Sequence, residues 1–420
     1  MNIKINHIAK IEGHAGFMAK VINGDVKSAK LEVQEGIRLI EGILIGRHFK
    51  DMPIIAQRIC GICPVVHNLT SIQAIEKALK IEVSAETIKL RKLLEWGQII
   101  HSHGLHLFFL SLADFLDIEN DLILTKKYPV ETKKVIQIRE FGLSIIRIIG
   151  GRAIHPLTNE SGGFKKVPTI LEIKELIKKG KEALLLALEL GEFFSKIKVP
   201  EFSRISEYVC LGKEGEYAIY DGNIISNKGL NIPLEKFQNN FHEIQKPREI
   251  IKRVQFDSKD SYMVGAIARI NNQHDKLLPK AKKYLKELGY KFPDYNPFHN
   301  VVYQMVEIVN FIEESIRMLN ILVDSDLENA LTKEYKIQKG SGVGAIEAPR
   351  GTLYYSVNIG LKGYIKKVNI ITPTAQFLTH LEDNAAVYLS QLPNLTNKRK
   401  EKKMRALIRA YDPCVSCAVH

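Results

Sequence analysis

Two cysteine pairs at opposite ends of the chain carry the strongest chemical signal. Arg58-Ile-Cys-Gly-Ile-Cys-Pro64 contains Cys60 and Cys63, and Asp412-Pro-Cys-Val-Ser-Cys-Ala-Val-His420 contains Cys414 and Cys417. The chain has 5 cysteines, so only Cys210 stands apart. Thiolates are soft anionic ligands, and four of them suit zinc, an iron–sulfur cluster, nickel or copper. Two intervening residues let one loop place both sulfurs on one metal. Zinc ribbons draw their halves from neighbouring hairpins, roughly 15–20 residues apart, whereas about 350 residues separate these pairs. Two thioredoxin-like redox pairs are a further option, but neither pair follows a strand of a βαβ unit. We therefore expect the chain to bring both pairs onto one metal, with a structural zinc site as the bland alternative.

Composition narrows the class. The 420 residues are 45% hydrophobic and 25% charged, enough to bury a sizeable core. So few cysteines make no disulfide framework. The longest apolar stretches, Leu105–Leu116 and Ala183–Leu190, are shorter than a membrane span. The start, Met1-Asn-Ile-Lys-Ile-Asn, has no apolar signal core. A cytoplasmic protein with no membrane span is expected. The net charge of +13 comes from dispersed lysines and one dense run at Asn397–Lys403. Without a module of interleaved aromatics this is a solvated surface and no nucleic-acid site.

The elements that must position the cysteines follow from periodicity. Ile3–Ile11, Gly16–Ile22 and Lys30–Val33 read as strands, with an Asn23-Gly24 hairpin turn between the last two. Helices are expected over Ile37–Phe49, from Pro64 through Thr70–Leu79, and over Glu86–Asp117, the last apolar nearly all round from Trp96. Further helices are expected over Glu131–Ile149, 168–197, Lys276–Leu288, Val301–Leu331, Thr374–Leu392 and Lys398–Ala410. A β-rich excursion near 202–230 and a hairpin over 350–372 complete an α-rich α+β chain, taken as a single domain over 1–420 without repeats.

The neighbourhoods of the two pairs, Arg58–His67 and Asp412–His420, resemble the signature motifs of [NiFe] hydrogenase large subunits. Ile11-Glu-Gly-His14, Ile37-Arg-Leu-Ile-Glu-Gly42, Gly150-Gly-Arg-Ala-Ile-His-Pro156, Ala348-Pro-Arg-Gly351 and Ile370-Ile-Thr-Pro-Thr374 match in the family's order. The likeness is to the soluble, methyl-viologen-reducing and sulfhydrogenase-like group. It implies the nickel-dependent hydrogenase fold, a central bundle of long helices with small peripheral sheets.

The resemblance also implies roles. Cys60, Cys63, Cys414 and Cys417 would carry nickel, with Cys63 and Cys417 also bridging to an iron that holds CO and cyanide. Glu12 matches the carboxylate that takes protons from a terminal cysteine, here Cys414; alone it would read as a surface charge. Glu41, His420 and the Ile370 carbonyl match a site for magnesium or a similar divalent cation. Arg350 matches a guanidinium over the metals, always protonated and so no easy base. Asp412 matches a carboxylate beside it. Pro373 and Thr374 match contacts to one cyanide, and Leu353 matches the apolar wall around CO. His67, four residues after Cys63, is expected to hydrogen-bond that bridging thiolate. His101, His103 and His106 read as core or supporting histidines, and Cys210 as a plain buried thiol.

One departure stands out. The best-known members have aspartate where this chain has Ser102, between His101 and His103, so Arg350 must lean on Asp412 or be held differently. The single remaining cysteine cannot hold an iron–sulfur cluster, and no Gly-x-Gly-x-x-Gly loop offers a nicotinamide or flavin site. A redox enzyme of this composition must pass its electrons to another polypeptide, and the resemblance implies which: an obligate iron–sulfur small subunit, docked near residues 12–67, followed by further electron-acceptor subunits. Nickel-insertion proteins and a maturation protease are implied as transient partners. The alternatives kept are a dihydrogen-sensing regulatory protein with the same metals and, remotely, the four-cysteine zinc protein.

Overall fold

The computed structural model describes residues 2–22, 25–245, 249–256 and 260–420. The Asn23-Gly24 turn lies outside them. Strands β1 (Asn2–Ile5), β2 (Ala15–Ile22) and β3 (Asp25–Val33) form an antiparallel sheet in that order. β1 is shorter than the expected Ile3–Ile11. It stops at Ile5, and within the remainder of the expected run Lys10 takes a left-handed φ of 65°. Glu12 instead bridges to Cys414.

The helix expected over Ile37–Phe49 contracts to α1 (Ile40–Leu44), because Leu39 and Gly46 adopt left-handed φ of 52° and 80° at its two ends. α2 (Pro64–Leu79) begins on its proline, whose missing N–H costs nothing in a first turn. α3 (Ala85–Gly104) is capped by Ser84, which accepts the Thr87 N–H at 3.1 Å. It continues as a π-helical stretch over Leu105–Ser111 and a last turn at Leu112–Phe115, so the expected Glu86–Asp117 rod changes pitch around His106. α4 (Pro129–Gly150) ends at Gly151 with φ 73°, and α5 (Ile170–Ser195) starts with a Thr169/Glu172 capping box.

β4 (Glu207–Gly212) and β5 (Asn223–Ser226) belong to a four-stranded sheet with Asn231–Ile232 and Tyr262–Met263, so the β-rich section runs well past 230. Sequence periodicity passes over α6 (Ala266–Gln273), a short helix whose residues are nearly all buried. The helix expected from Lys276 starts at Pro279, and α7 (His299–Val323) stops short of Leu331. α3, α4, α5 and α7 pack against one another as the central bundle. The α3–α4 crossing is glycine-tight. A Cβ on Gly97 would lie 2.8 Å from the Gly142 carbonyl oxygen, and one on Gly142 would lie 2.6 Å from that of Gly97.

The expected hairpin of β7 (Gly351–Ile359) and β8 (Ile365–Ile371) has a third strand, β6 (Gly340–Ala348), paired to β7. Its low strand propensity has a packing cause. Gly340, Gly342 and Gly344 lie against α2, where added Cβ atoms would come within 1.9, 2.2 and 2.6 Å of the carbonyl oxygens of Ala78, Ala74 and Thr70. α8 (Pro373–Ser390) and α9 (Asn397–Ala410) lead to the last turn, α10 (Val415–Ala418). Among the described residues no helix is long and apolar enough to cross a membrane.

One core carboxyl is anomalous. Glu95 on α3 is 0% exposed, and neither of its oxygens has a hydrogen-bond partner among the described residues. Burial pushes its pKa well above the carboxylate range, with Glu347 and Glu216 adding to the shift against Lys92 and Arg269. The folded state therefore keeps a proton that the unfolded chain releases above its ordinary pKa. Stability on this account falls as pH rises from that value toward the raised one. Glu95→Gln, neutral at every pH, should raise the melting temperature more at pH 8 than at pH 5. Thermal melts at the two pH values check this.

Candidate metal centre

The two cysteine loops meet where α2 begins. Cys60 Sγ lies 3.5 Å from Cys414 Sγ, Cys63 Sγ 3.4 Å from Cys417 Sγ, and Cys414 Sγ 2.9 Å from Cys417 Sγ. All four sulfurs fall within 4.8 Å of one another, are buried, and form no disulfide. Burial pushes the Cys414 and Cys417 thiols well up, with Cys60 and Cys63 adding to both, while hydrogen bonds from Cys414, Cys417 and Cys63 hold Cys60 well down as the anionic member of the group. Four buried thiolates coexist only with positive charge among them, so the donor set fits a soft, multiply charged metal centre.

Backbone and side chains grip both loops. Val415 N–H donates to the Glu12 carbonyl at 2.9 Å. The Arg38 guanidinium donates to the Ile59 carbonyl at 2.6 Å and also to that of Ser416, which ties the residue before Cys60 to the residue before Cys417. Gln98 donates to the Ile62 carbonyl at 2.6 Å and accepts from Val65 N–H at 3.3 Å, bracketing Cys63. The Cys414 N–H donates to the Thr374 hydroxyl at 3.0 Å. Neither Arg38 nor Gln98 is among the residues expected from sequence. Arg38 lies inside a matched motif, which is a signal that could have found it; Gln98 reads only as one polar residue on an apolar helix.

Glu12 Oε2 is 3.0 Å from Cys414 Sγ and accepts the Ser416 N–H at 3.0 Å. Burial raises its pKa, helped by Cys60, against the hydrogen bonds from Ser416 and Cys414. Arg350 Nη2 donates to Asp412 Oδ1 at 2.9 Å and Nη1 to the Ser102 hydroxyl at 3.0 Å. The guanidinium is thus held by one carboxylate and one neutral oxygen. Burial opposes its charge, but Asp412 and the cysteines keep it protonated. Leu353 is buried on β7, and Pro373 and Thr374 form the first turn of α8.

His67 departs from expectation. Its Nε2 faces Cys417 Sγ at 3.6 Å, and Nδ1 meets the Tyr355 hydroxyl at 2.7 Å; the imidazole serves the distant cysteine and not its helical neighbour Cys63. Cys63 precedes α2 with φ −120° and ψ 40°, so the i, i+4 relation fails at that position. Burial lowers the His67 pKa to about 3, leaving the ring neutral. His103 and His106 bond Glu307 and Gln304 at 2.7 and 2.6 Å, and His101 leaves a buried Nδ1 without a partner among the described residues. Cys210 is buried on β4, 3.8 Å from Gln273 Nε2, apart from the four-sulfur group.

A second polar group sits beside the last turn. His420 Nε2 lies 2.9 Å from the Ile370 carbonyl oxygen and 3.7 Å from Glu41 Oε1, and Ile370 N–H donates to Glu41 at 2.7 Å. Burial of Glu41 is outweighed by His420, the Ile370 N–H and Lys252, which together hold its pKa low. A carboxylate, a carbonyl and an imidazole are a donor set that fits a small hard cation.

Fold and four-sulfur cluster together define a metalloprotein whose metal-binding sulfurs are buried where the two cysteine loops meet. The nickel-dependent hydrogenase family model matches residues 38–187 and 264–420. The alpha chain of sulfhydrogenase 1 from Pyrococcus furiosus is 33% identical over 100% of this chain and 97% of its own length. A component of the F420-non-reducing hydrogenase of Methanothermobacter marburgensis is 30% identical over 100% and 95%. A crystal structure of an NAD+-reducing [NiFe]-hydrogenase in the H2-reduced state superposes with TM-score 0.92 at 24% identity, over 100% of this chain and 99% of that one. The [NiFeSe]-hydrogenase of Dm. baculatum gives 0.79 at 22%, over 100% of both chains. The chain belongs to the nickel-dependent hydrogenase family.

Arg38 yields a prediction independent of the cysteines themselves. Arg38→Met removes the tie between the loops, and nickel retention against a chelator should fall by about tenfold to a hundredfold. Cys60→Ser should remove most of the nickel outright. Metal content by mass spectrometry after chelator challenge checks both.

Proposed function

We propose that this chain is the catalytic subunit of a [NiFe] hydrogenase that reversibly cleaves dihydrogen into two protons and two electrons. The observation that carries the reading is the convergence of four buried sulfurs with a carboxylate, Glu12, 3.0 Å from one of them. Cys60, Cys63, Cys414 and Cys417 would hold a nickel–iron pair, with CO and cyanide on the iron, that would supply the Lewis acidity and electron storage for this cleavage.

Glu12 is the proton acceptor at Cys414 Sγ. A carboxyl raised by burial is better matched to a thiol than a solvated one. From there Ser416 leads outward, its hydroxyl 3.5 Å from Glu35, which is half-buried. Arg350 holds fixed positive charge over the sulfurs and cannot compete for the proton. Leu353, Pro373 and Thr374 shape the wall of the site and keep water out. Neutral His67 accepts a hydrogen bond from the Tyr355 hydroxyl at Nδ1 and so turns its Nε2–H toward Cys417, a donor that stabilises an anionic sulfur. Glu41, His420 and the Ile370 carbonyl would hold the divalent cation, which ties the last residue to β8.

Electrons need a partner. The fifth cysteine lies apart, so we propose an iron–sulfur small subunit that passes them to further acceptor subunits. Exposed Ile37, Leu39, Ile43, Ile45 and Ile54 support docking over residues 12–67. Ile54 and Leu157 line one cavity of about 730 Å³, which extends the same face to the 150–157 loop. A cytoplasmic location and loading by nickel-insertion proteins and a maturation protease belong to this proposal.

Two measurements test it. The chain purified with its partner should contain nickel and iron together and show infrared bands of CO and cyanide. Zinc alone would sink the reading, and the same metals with only trace turnover would favour a dihydrogen sensor. Glu12→Gln should keep the metals and lose dihydrogen oxidation by roughly 10²–10⁴-fold. Near-wild-type dye reduction by that variant would put the proton acceptor elsewhere.

A further inference from the structure

Arg269 on α6 is 0% exposed, as are Glu307 and Glu347 beside it. All five of its N–H donors are used. Nε donates to Glu307 Oε1 at 2.6 Å. Nη2 donates to Glu307 Oε2 at 2.7 Å and to the Pro349 carbonyl at 3.3 Å. Nη1 donates to Glu347 Oε2 at 2.9 Å and to the Ala348 carbonyl at 3.0 Å. Three of these acceptors belong to residues 347, 348 and 349, directly before Arg350. Thr352, two residues after it, donates its hydroxyl to Glu347.

The second arm of the cluster reaches Arg350 from the other side. Glu307 on α7 binds His103 Nε2 at 2.7 Å and the Tyr217 hydroxyl at 2.6 Å. His103 adjoins Ser102 on α3, and the Ser102 hydroxyl receives Arg350 Nη1. The backbone leading into Arg350 and the helix that receives its side chain are therefore clamped by one guanidinium. Two glycines permit the approach. A Cβ on Gly351, φ 131°, would lie 2.3 Å from Val264, and one on Gly265, φ 96°, would lie 3.0 Å from the Arg350 carbonyl oxygen.

We infer that Arg269 is a positioning residue for Arg350, fixing that guanidinium over the cysteines through Ala348–Pro349 on one side and Glu307–His103–Ser102 on the other. The inference rests on the proposed hydrogenase reading for why the position of Arg350 matters. A structural ion cluster elsewhere in a core would add stability or specificity without ending twice on one side chain. Lysine could keep the charge at 269 but not the five-donor fork.

The test is a double-mutant cycle on the metal-loaded complex with its partner, using wild type, Arg269→Lys, Arg350→Lys and the double variant. Arg269→Lys should lower kcat for dihydrogen oxidation by about tenfold to a hundredfold, the cost of a misplacement of order 1 Å. The double variant should be no slower than Arg350→Lys alone. Infrared bands of CO and cyanide in Arg269→Lys should move toward those of Arg350→Lys. Hydrogen exchange over residues 346–353 should quicken while the rest of the bundle stays protected. Multiplicative losses with unshifted bands would overturn the inference and leave the hydrogenase reading intact. If Arg269→Lys does not fold, Glu307→Gln run through the same cycle decides it by the same criteria. A wild-type complex without dihydrogen activity or CO and cyanide bands would overturn the functional reading, and this inference with it.

Discussion

Everything in this molecule depends on bringing four sulfurs from the two ends of the chain into one buried contact. Such a meeting is electrostatically unfavourable by itself, since thiolates out of water repel one another and raise each other's pKa. The chain pays for it with directed bonds that mostly avoid the sulfurs. Arg38 joins carbonyls from both loops, Gln98 brackets one loop from α3, and Glu12 holds the other through both its backbone and its side chain. These contacts shape the pocket, and a bound metal would supply the missing positive charge. Metal loading and closure of the last segment would then be one linked equilibrium.

That closure needs a rigid backdrop. The bundle supplies it by letting helix backbones touch, as at Gly97 and Gly142, and by laying the glycines of β6 on α2. Close approach reduces the freedom of each element to slide, and the residues that face the sulfurs come from element ends: the start of α2, the β6–β7 turn and the start of α8. Sites built this way hold side chains more tightly than sites built on loops. The buried Arg269 cluster extends the same logic, since it stiffens the turn that carries Arg350.

Much of this is legible in the chain. The long helices show in apolar periodicity, and the four cysteines, Glu12, Arg350 and Asp412 stand in ordered motifs that the structure brings within a few ångströms. What escapes has physical reasons. β6 reads as loop because its glycines serve a helix contact instead of strand propensity. The first helix shrinks because two left-handed residues flank it, a conformation that Leu39 does not advertise. Helical spacing, carried across a helix boundary, pairs His67 with the wrong cysteine. Arg269 and Glu307 are invisible because partners 38 residues apart in sequence leave no local pattern.

Ser102 gains meaning from the same geometry. A guanidinium between two carboxylates would be fully neutralised, whereas here Arg350 has one carboxylate, Asp412, and one hydroxyl. More of its positive charge is left to act on the sulfurs beside it. In a poorly solvated site such a difference in charge is felt more strongly than it would be in water. It acts in the direction that favours anionic sulfur and resists proton uptake there. The serine makes the hydrogen bond that aims the guanidinium without placing a second negative charge beside it. Aim then depends more heavily on the backbone that carries Arg350, which is where the buried cluster around Arg269 takes hold.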